Sequence, residues 1–383
     1  MPDVVVIGGG IVGAATAYEL ARAGHGVTLF EKRRLAAMAS GWTLGGVRQS
    51  GRHPAELPLA MEAVARWGGL DEELGAPTHY RRRGNLRFAR TPDEVKVIRA
   101  LVDEQSATGL AIDYLGNPAD IRAVAPAVNP AILAASFCPG DGSADPHSSV
   151  AAFAGAAARH GATIAEGVAV GGIIVEAGRV RGVETDEGKV GCDRVVLAGG
   201  IHSPELLRQL GLALPLDVKI VCVLQSVPAA PAFDQVFGVA NADCAGRQEF
   251  DGRYRVTTGI GDWPHEPGAW TEATVQPTTG DIARLIELAT AVLPCLRDIG
   301  VDRVWGGLID LTADALPVMD ASTGVDGLVV GAGFSGHGFG IAPVVGEILA
   351  DLAQGKTPRF GLDPFRLARL ATSTGSAGLT LHG

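Results

Sequence analysis

The chain has 383 residues, 47% hydrophobic and 19% charged, so it can bury large cores and hold two domains or one interleaved pair. A formal net charge of −10 argues against a nucleic-acid partner, and five cysteines without a C-x-x-C pair argue against a zinc site or a secreted disulfide framework. No basic, apolar leader opens the sequence and no run approaches the roughly 18 apolar residues of a spanning helix, so a cytoplasmic protein with no membrane span, reduced thiols and no metal is expected.

The first thirty-one residues carry the clearest pattern. Val4-Val-Val-Ile reads as a buried parallel strand, Gly8-Gly-Gly10-Ile11-Val12-Gly13 as a glycine turn opening a helix, and Val27-Thr-Leu-Phe-Glu31 as a second strand ending in an acid. Gly8 permits the tight turn, Gly10 lets backbone approach a pyrophosphate, and Gly13 lets helix and strand pack closely. The helix N-terminus supplies unpaired amides and partial positive charge to phosphates. Glu31 can accept hydrogen bonds from the hydroxyls of an adenosine ribose. An ordinary βαβ unit with a glycine turn is the plainer alternative.

Residues 39–49 are rich in small residues and read as a loop hugging a ligand, followed by a lone arginine, Arg48. A helix is expected from about Pro58 to Leu74, a strand over 83–89, and a helix from Thr91 to about Thr108 with Thr91 and Glu94 forming a capping box. Asp145-Pro146 launches an alanine-rich helix to Arg159. Short strands follow around 162–166, 168–175 and 179–185, then an apolar strand over 194–200 and a helix from Ser203. Alternation over 216–260 predicts an antiparallel sheet, with a helix over 279–293 and one more strand over 302–310. The Ser/Thr/Gly-rich tail, 372–383, is expected to be disordered.

A second glycine cluster, Gly331-Ala-Gly333-Phe-Ser-Gly336, follows an apolar strand and precedes a helix over 341–353. A second adenosine site would need a further strand ending in an acid, and the chain supplies neither. The cluster reads instead as a turn aiming a helix N-terminus at the reactive end of the same cofactor. A reduced flavin is anionic at its N1–C2=O edge and nicotinamide is not, so FAD is favoured over NAD. Glu31 would repel a 2′-phosphate, which disfavours NADP.

The N-terminal unit, Ala39-Ser-Gly with Gly45-Gly46-Val-Arg48-Gln, Asp145-Pro146, Val195-Val-Leu-Ala-Gly-Gly and Gly333-Phe-Ser-Gly-His-Gly-Phe together resemble the D-amino-acid-oxidase superfamily. Within it the chain is most similar to the glycine oxidase and sarcosine oxidase (β-subunit-like) branch, over nearly all of residues 1–360. The resemblance implies an α/β fold in which a Rossmann-type FAD-binding domain (1–80, 145–215 and 322–371) is interleaved with an α+β substrate domain (81–144 and 216–321) built on an antiparallel sheet. It implies oxidation of an amine C–N bond by hydride transfer to flavin N5 and hydrolysis of the imine. The electron acceptor is dioxygen or an electron-transfer partner. An alternative is a flavin subunit of a hetero-oligomeric amino acid, opine or proline dehydrogenase; an NAD-dependent dehydrogenase is a third reading.

The candidate cofactor-binding residues are Gly8, Gly10, Ile11, Val12, Gly13, Glu31, Lys32, Ser40, Gly45, Gly46, Val168, Ala198, Gly199, Gly307, Gly333, Phe334, Ser335, Gly336, His337, Gly338 and Phe339. Arg48, His337 and Tyr254 are the catalytic candidates, Arg48 as a carboxylate or flavin contact and Tyr254 as part of an aromatic pocket with Trp42, Trp305 and Phe339. His147, His160, His202 and His265 read as structural or exposed. Relatives imply a flavin-tethering cysteine near Gly306-Gly307, a carboxylate-binding lysine at Gly340 or arginine at Ile309, and an oxygen-activating lysine within 255–258; this chain has none of them, so non-covalent FAD is expected. Arg255 or Arg303 would be the second carboxylate anchor.

Overall fold

The computed structural model describes residues 2–265, 270–271 and 274–372. Its elements alternate between two large sheets. Val4–Ile7 (β1), Val27–Glu31 (β2), Arg194–Leu197 (β3) and Leu328–Ala332 (β4) form the centre of a six-stranded sheet, with Thr163–Glu166 at one edge and Val318–Asp320 at the other. All of its neighbours run parallel except Val318–Asp320 against β4. Near-continuous runs of valine, leucine and isoleucine suit strands covered on both faces.

Three helices cover one face of that sheet: Ile11–Arg22 (α1), Pro146–Arg159 (α2) and Gly338–Ala353 (α3). Residues 11 to 21 of α1 are all buried, which explains its lack of a polar face. Small residues let α1 and α3 lie close together. A Cβ at Gly346 would stand 2.7 Å from the Cβ of Ala15. Gly13 is equally constrained, since a Cβ there would collide with the carbonyl oxygen of Gly8.

The second sheet has nine strands, drawn from residues 85–138 and 217–311. Asp217–Ser226 pairs antiparallel along its whole length with Val301–Leu311, as the alternating pattern predicts. One pair departs from an all-antiparallel sheet: Val236–Val239 runs parallel to Asn85–Ala89. The two hydrogen-bonded runs are some 150 positions apart in sequence, and only tertiary pairing sets their direction.

Local differences have local causes. The expected helix over 58–74 is two, Leu57–Trp67 and Leu70–Leu74, because Gly68-Gly69 interrupts it. The loop over 39–49 contains a helical turn, Ala39–Trp42, and a two-residue strand, Gly46–Val47, paired with Gly142–Ser143. Thr91 accepts from the amide of Glu94, but the Glu94 carboxylate turns to the amide of Arg90, so the capping box stays half formed. A strand over Gly188–Gly191 completes a three-stranded sheet with 170–176 and 179–185; two glycines hid it. The tail from 373 onward lies outside the described residues, and Thr372 closes a 3₁₀ turn begun at Leu367.

The α1–α3 contact has no slack for a side chain. Gly346→Val is expected to lower stability by roughly 1–3 kcal/mol through overpacking. An unchanged urea midpoint would show that the helices can separate.

Candidate functional site

One long cavity runs between the two sheets. At one end lie Gly8, Gly10, Ile11, Val12, Glu31, Lys32, Ser40, Val168, Ala198 and Gly199; at the other lie Gly46, Arg48, Gly307, Phe334, Gly336, Gly338 and Phe339. The residues fit a dinucleotide at the first end. Gly8 has φ +112°, a conformation open to glycine, and a Cβ there would strike the carbonyl of Ala198. A Cβ at Gly10 would sit 3.0 Å from Ser40 Oγ, so bare backbone faces the cavity. Ser40 Oγ accepts from the amide of Ile11 at 2.9 Å and leaves the following first-turn amides of α1 toward the ligand. Glu31 accepts from the amides of Gly9 (2.7 Å) and Arg33 (2.9 Å); these bonds fix its carboxylate at the cavity wall, with lone pairs still available to hydroxyls.

The second glycine cluster is held from the opposite sheet. Gly333 (φ +66°) and Gly336 (φ +81°) flank Ser335, which holds φ +50° despite its side chain. The amide of Gly333 donates to Asp310 Oδ2 (3.2 Å), that of Ser335 to the Asp310 carbonyl (3.1 Å), and the amide of Thr312 to Ser335 Oγ (3.2 Å). Burial pushes the Asp310 carboxyl up to about 6. The turn delivers the first residues of α3, Gly338 and Phe339, to the cavity, where the helix N-terminus carries partial positive charge. Phe339 stacks on Trp67, whose indole donates to the carbonyl of Gly340 at 2.7 Å.

Several expected residues stand elsewhere. Tyr254 is a correction: strand alternation turns it to the far face of the nine-stranded sheet, in a core with Leu285 and Val292 and its hydroxyl near Cys295 Sγ. Thr257, on the other side of the same strand, reaches the cavity. The His337 imidazole is also turned away from the cavity lining; its Nδ1 lies 3.2 Å from Glu56 Oε2, both side chains almost fully buried. Gly13, Gly333 and Ser335 shape the two turns, and Gly45 the 39–49 loop where it meets Ala144, without lining the cavity. Of the expected aromatic residues, Trp42 and Phe339 line it, whereas Trp305 lines a neighbouring hollow with Trp270. Arg255 pairs with Glu249 at 2.9 Å and donates to the carbonyl of Thr43, and Arg303 donates to Gln225; neither lines the cavity.

The two positions at which the resemblance implies a carboxylate anchor are filled otherwise here. At Gly340 a Cβ would stand 3.0 Å from the carbonyl of Gly46, so α3 and the 46–47 strand leave no room for a side chain. Ile309 lines the cavity as an apolar wall. Arg48 is half-buried on the cavity, joined there by two buried arginines that the sequence did not single out, Arg52 and Arg87. Their spacings held a signal: Arg52 follows Arg48 by four residues, and Arg87 shares a strand face with Asn85. His202 and Asp310 were missed as well; an acid inside the apolar run 304–311 was the clue to Asp310.

None of the five cysteines lines the cavity, among the described residues. His202 accepts from Lys32 Nζ at 2.8 Å in its neutral form, and burial, with Lys32 and Arg33 nearby, lowers it to about 4 from its ordinary 6.5. A histidine with a depressed folded pKa takes up its proton more readily when unfolded, so its effect is to lose stability as pH falls from about 6.5 toward about 4. His202→Asn is expected to flatten part of that fall, with His147 and His337, both also lowered, accounting for more of it. Urea titrations across this window check it; an unchanged slope would refute it.

The comparisons agree with this geometry. A family model described as FAD dependent oxidoreductase matches residues 3–352. Sarcosine oxidase subunit beta from Arthrobacter sp is 28% identical, with 98% of this chain and 94% of the relative covered. Glycine oxidase from Geobacillus kaustophilus (strain HTA426) is 28% identical over 96% of this chain and 97% of its own. The crystal structure of L-proline dehydrogenase from P.horikoshii superposes with a TM-score of 0.86 at 28% identity, covering 96% of this chain and 97% of that one. No helix among the described residues is long and apolar enough to cross a membrane. The family match spans both glycine turns and the strands between them, and the chain belongs to the FAD dependent oxidoreductase family, an FAD-dependent enzyme.

Proposed function

We propose that the protein oxidises the C–N bond of an amino acid or N-substituted glycine, with Arg48 as carboxylate anchor. The observation that carries this is the half-buried Arg48 on the cavity wall, which also holds the second glycine turn and the N-terminus of α3. FAD, when bound, supplies the two-electron acceptor. The chain's part is positioning: Arg48 fixes the carboxylate, the apolar walls Ile309, Val221 and Val223 exclude water, and the α3 N-terminus stabilises negative charge. A substrate Cα–H leaves as hydride, the C–N bond becomes C=N, and water hydrolyses the imine to a carbonyl compound and an amine or ammonia.

On this reading residues 1–80, 145–215 and 322–371 hold the cofactor and 81–144 with 216–321 cover the substrate; the membership of the two large sheets supports the division except at Val318–Asp320, which joins the first sheet. The absence of cysteine from the lining supports non-covalent FAD. Five unpaired thiols support a reducing, cytoplasmic setting. A second reading, a subunit passing electrons to a partner, is favoured by Thr257 and Thr258 on the strand where oxygen-activating relatives carry lysine. Peroxide release by the isolated chain during turnover would overturn that reading.

Anaerobic addition of amino acids and N-substituted glycines to the yellow protein is expected to bleach the flavin. Arg48→Gln should raise the substrate Kd roughly 10- to 100-fold through loss of charge-assisted hydrogen bonds, with Arg48→Lys recovering part of it. A flavin that no amine reduces would refute the function; an unchanged Kd would refute the anchor.

A further inference from the structure

Three guanidiniums converge on one corner of the cavity. Arg48 and Arg52 come from the segment after the 46–47 strand, with Arg52 Nε donating to the Arg48 carbonyl at 3.4 Å. Arg87 comes from the facing sheet, where it and Asn85 project from Asn85–Ala89 on the same side. Two carboxylates stand behind this cluster without lining the cavity. Asp141 is spent on the loop itself, accepting from the amides of Gln49 (2.9 Å) and Ser50 (3.3 Å). Glu56 Oε2 lies 3.2 Å from His337 Nδ1, and its Oε1 forms a loose ion pair with Arg52 Nε at 3.9 Å, too long for a hydrogen bond.

Arg52 is 5% exposed, and its Nη1 has no hydrogen-bond partner among the described residues. Arginine cannot shed its proton to escape such a position, so a buried unpaired N–H marks a place for an acceptor. Three positive charges less two negative leave the corner with one in excess, His337 being neutral at pH 7 because burial lowers its pKa. At that pH a simple amino acid is a zwitterion without net charge. An amine bearing two carboxylates carries a net charge of minus one even when protonated, and offers a second acceptor.

We propose that the preferred substrate is an amine bearing two carboxylates, one held by Arg48 and the other by Arg52 and Arg87. This rests on the function proposed above and narrows its substrate class. Arg52 and Arg87 are then specificity-determining residues. The space that α3 closes at Gly340 and the apolar Ile309 fit the same picture, because the anchoring charge has moved to this corner.

The test uses the FAD-loaded full chain and two inert probes in which sulfur replaces the amine: thiodiacetate, with two carboxylates, and methylthioacetate, with one. Perturbation of the flavin spectrum reports each Kd without turnover. Thiodiacetate is expected to bind roughly tenfold or more tightly than methylthioacetate, the scale of one charge-assisted hydrogen bond. Arg52→Gln and Arg87→Gln should each reduce that ratio toward one while shifting the methylthioacetate Kd less than about threefold. Arg87→Lys should keep part of it. Equal binding of the two probes by the parent protein, which needs no variant to fold, overturns the proposal; so does a ratio that survives both glutamine substitutions. Flavin that no amine bleaches while thiodiacetate still binds selectively refutes the proposed function and supports the two-carboxylate site.

Discussion

Close approach of backbone to backbone at the first glycine turn is the constraint on which the remaining structure depends. Gly8 lies against the carbonyl of Ala198, and Gly13 against the carbonyl of Gly8 itself, so strand, turn and helix leave no room for side chains between them. That contact places the N-terminus of α1 above the ends of β1 and β3. α1 is then enclosed by α2 and α3, the latter through Gly346 on Ala15. Small residues replace apolar volume here because helix separation, not side-chain burial, sets where the amides point.

The same economy of space explains the far end of the cavity. The second turn must hold three unusual conformations within four residues, at Gly333, Ser335 and Gly336, and it is fixed by Asp310 and Thr312 from the opposing side. A turn belonging to one sheet is therefore positioned by a strand of the other. This makes the relative placement of the sheets a condition for the site, and gives the buried Asp310, raised to about 6 by burial, a structural duty at the cavity wall.

Electrostatics divides the cavity. Around the first turn the chain offers amides and one carboxylate, Glu31, suited to phosphates and ribose hydroxyls. Around Arg48 it offers three guanidiniums against two carboxylates, Asp141 and Glu56, that do not line the cavity. Arg48 is lowered to about 9 by burial and by repulsion from Arg52 and Arg87, and Arg87 to about 10 by burial and Arg52, so both remain charged at neutral pH while the repulsion among the guanidiniums favours an anion.

The sequence by itself determined the dinucleotide grip, the cofactor choice and most elements, because those depend on local spacing: glycines where φ is positive, an acid at a strand end, alternation along a strand. It also named Arg48 from its place after Gly45-Gly46. What only tertiary structure decided was direction and company. Tyr254 and Thr257 are three residues apart on one strand, yet one enters the core and the other the cavity, as the pleat dictates once the sheet is placed. His337 follows directly on the second glycine cluster, but its ring lies against Glu56, 281 positions away, and does not line the cavity. Arg52 and Arg87 meet Arg48 only because a strand of the second sheet crosses the loop of the first; their charges were visible in the sequence, and their convergence was not.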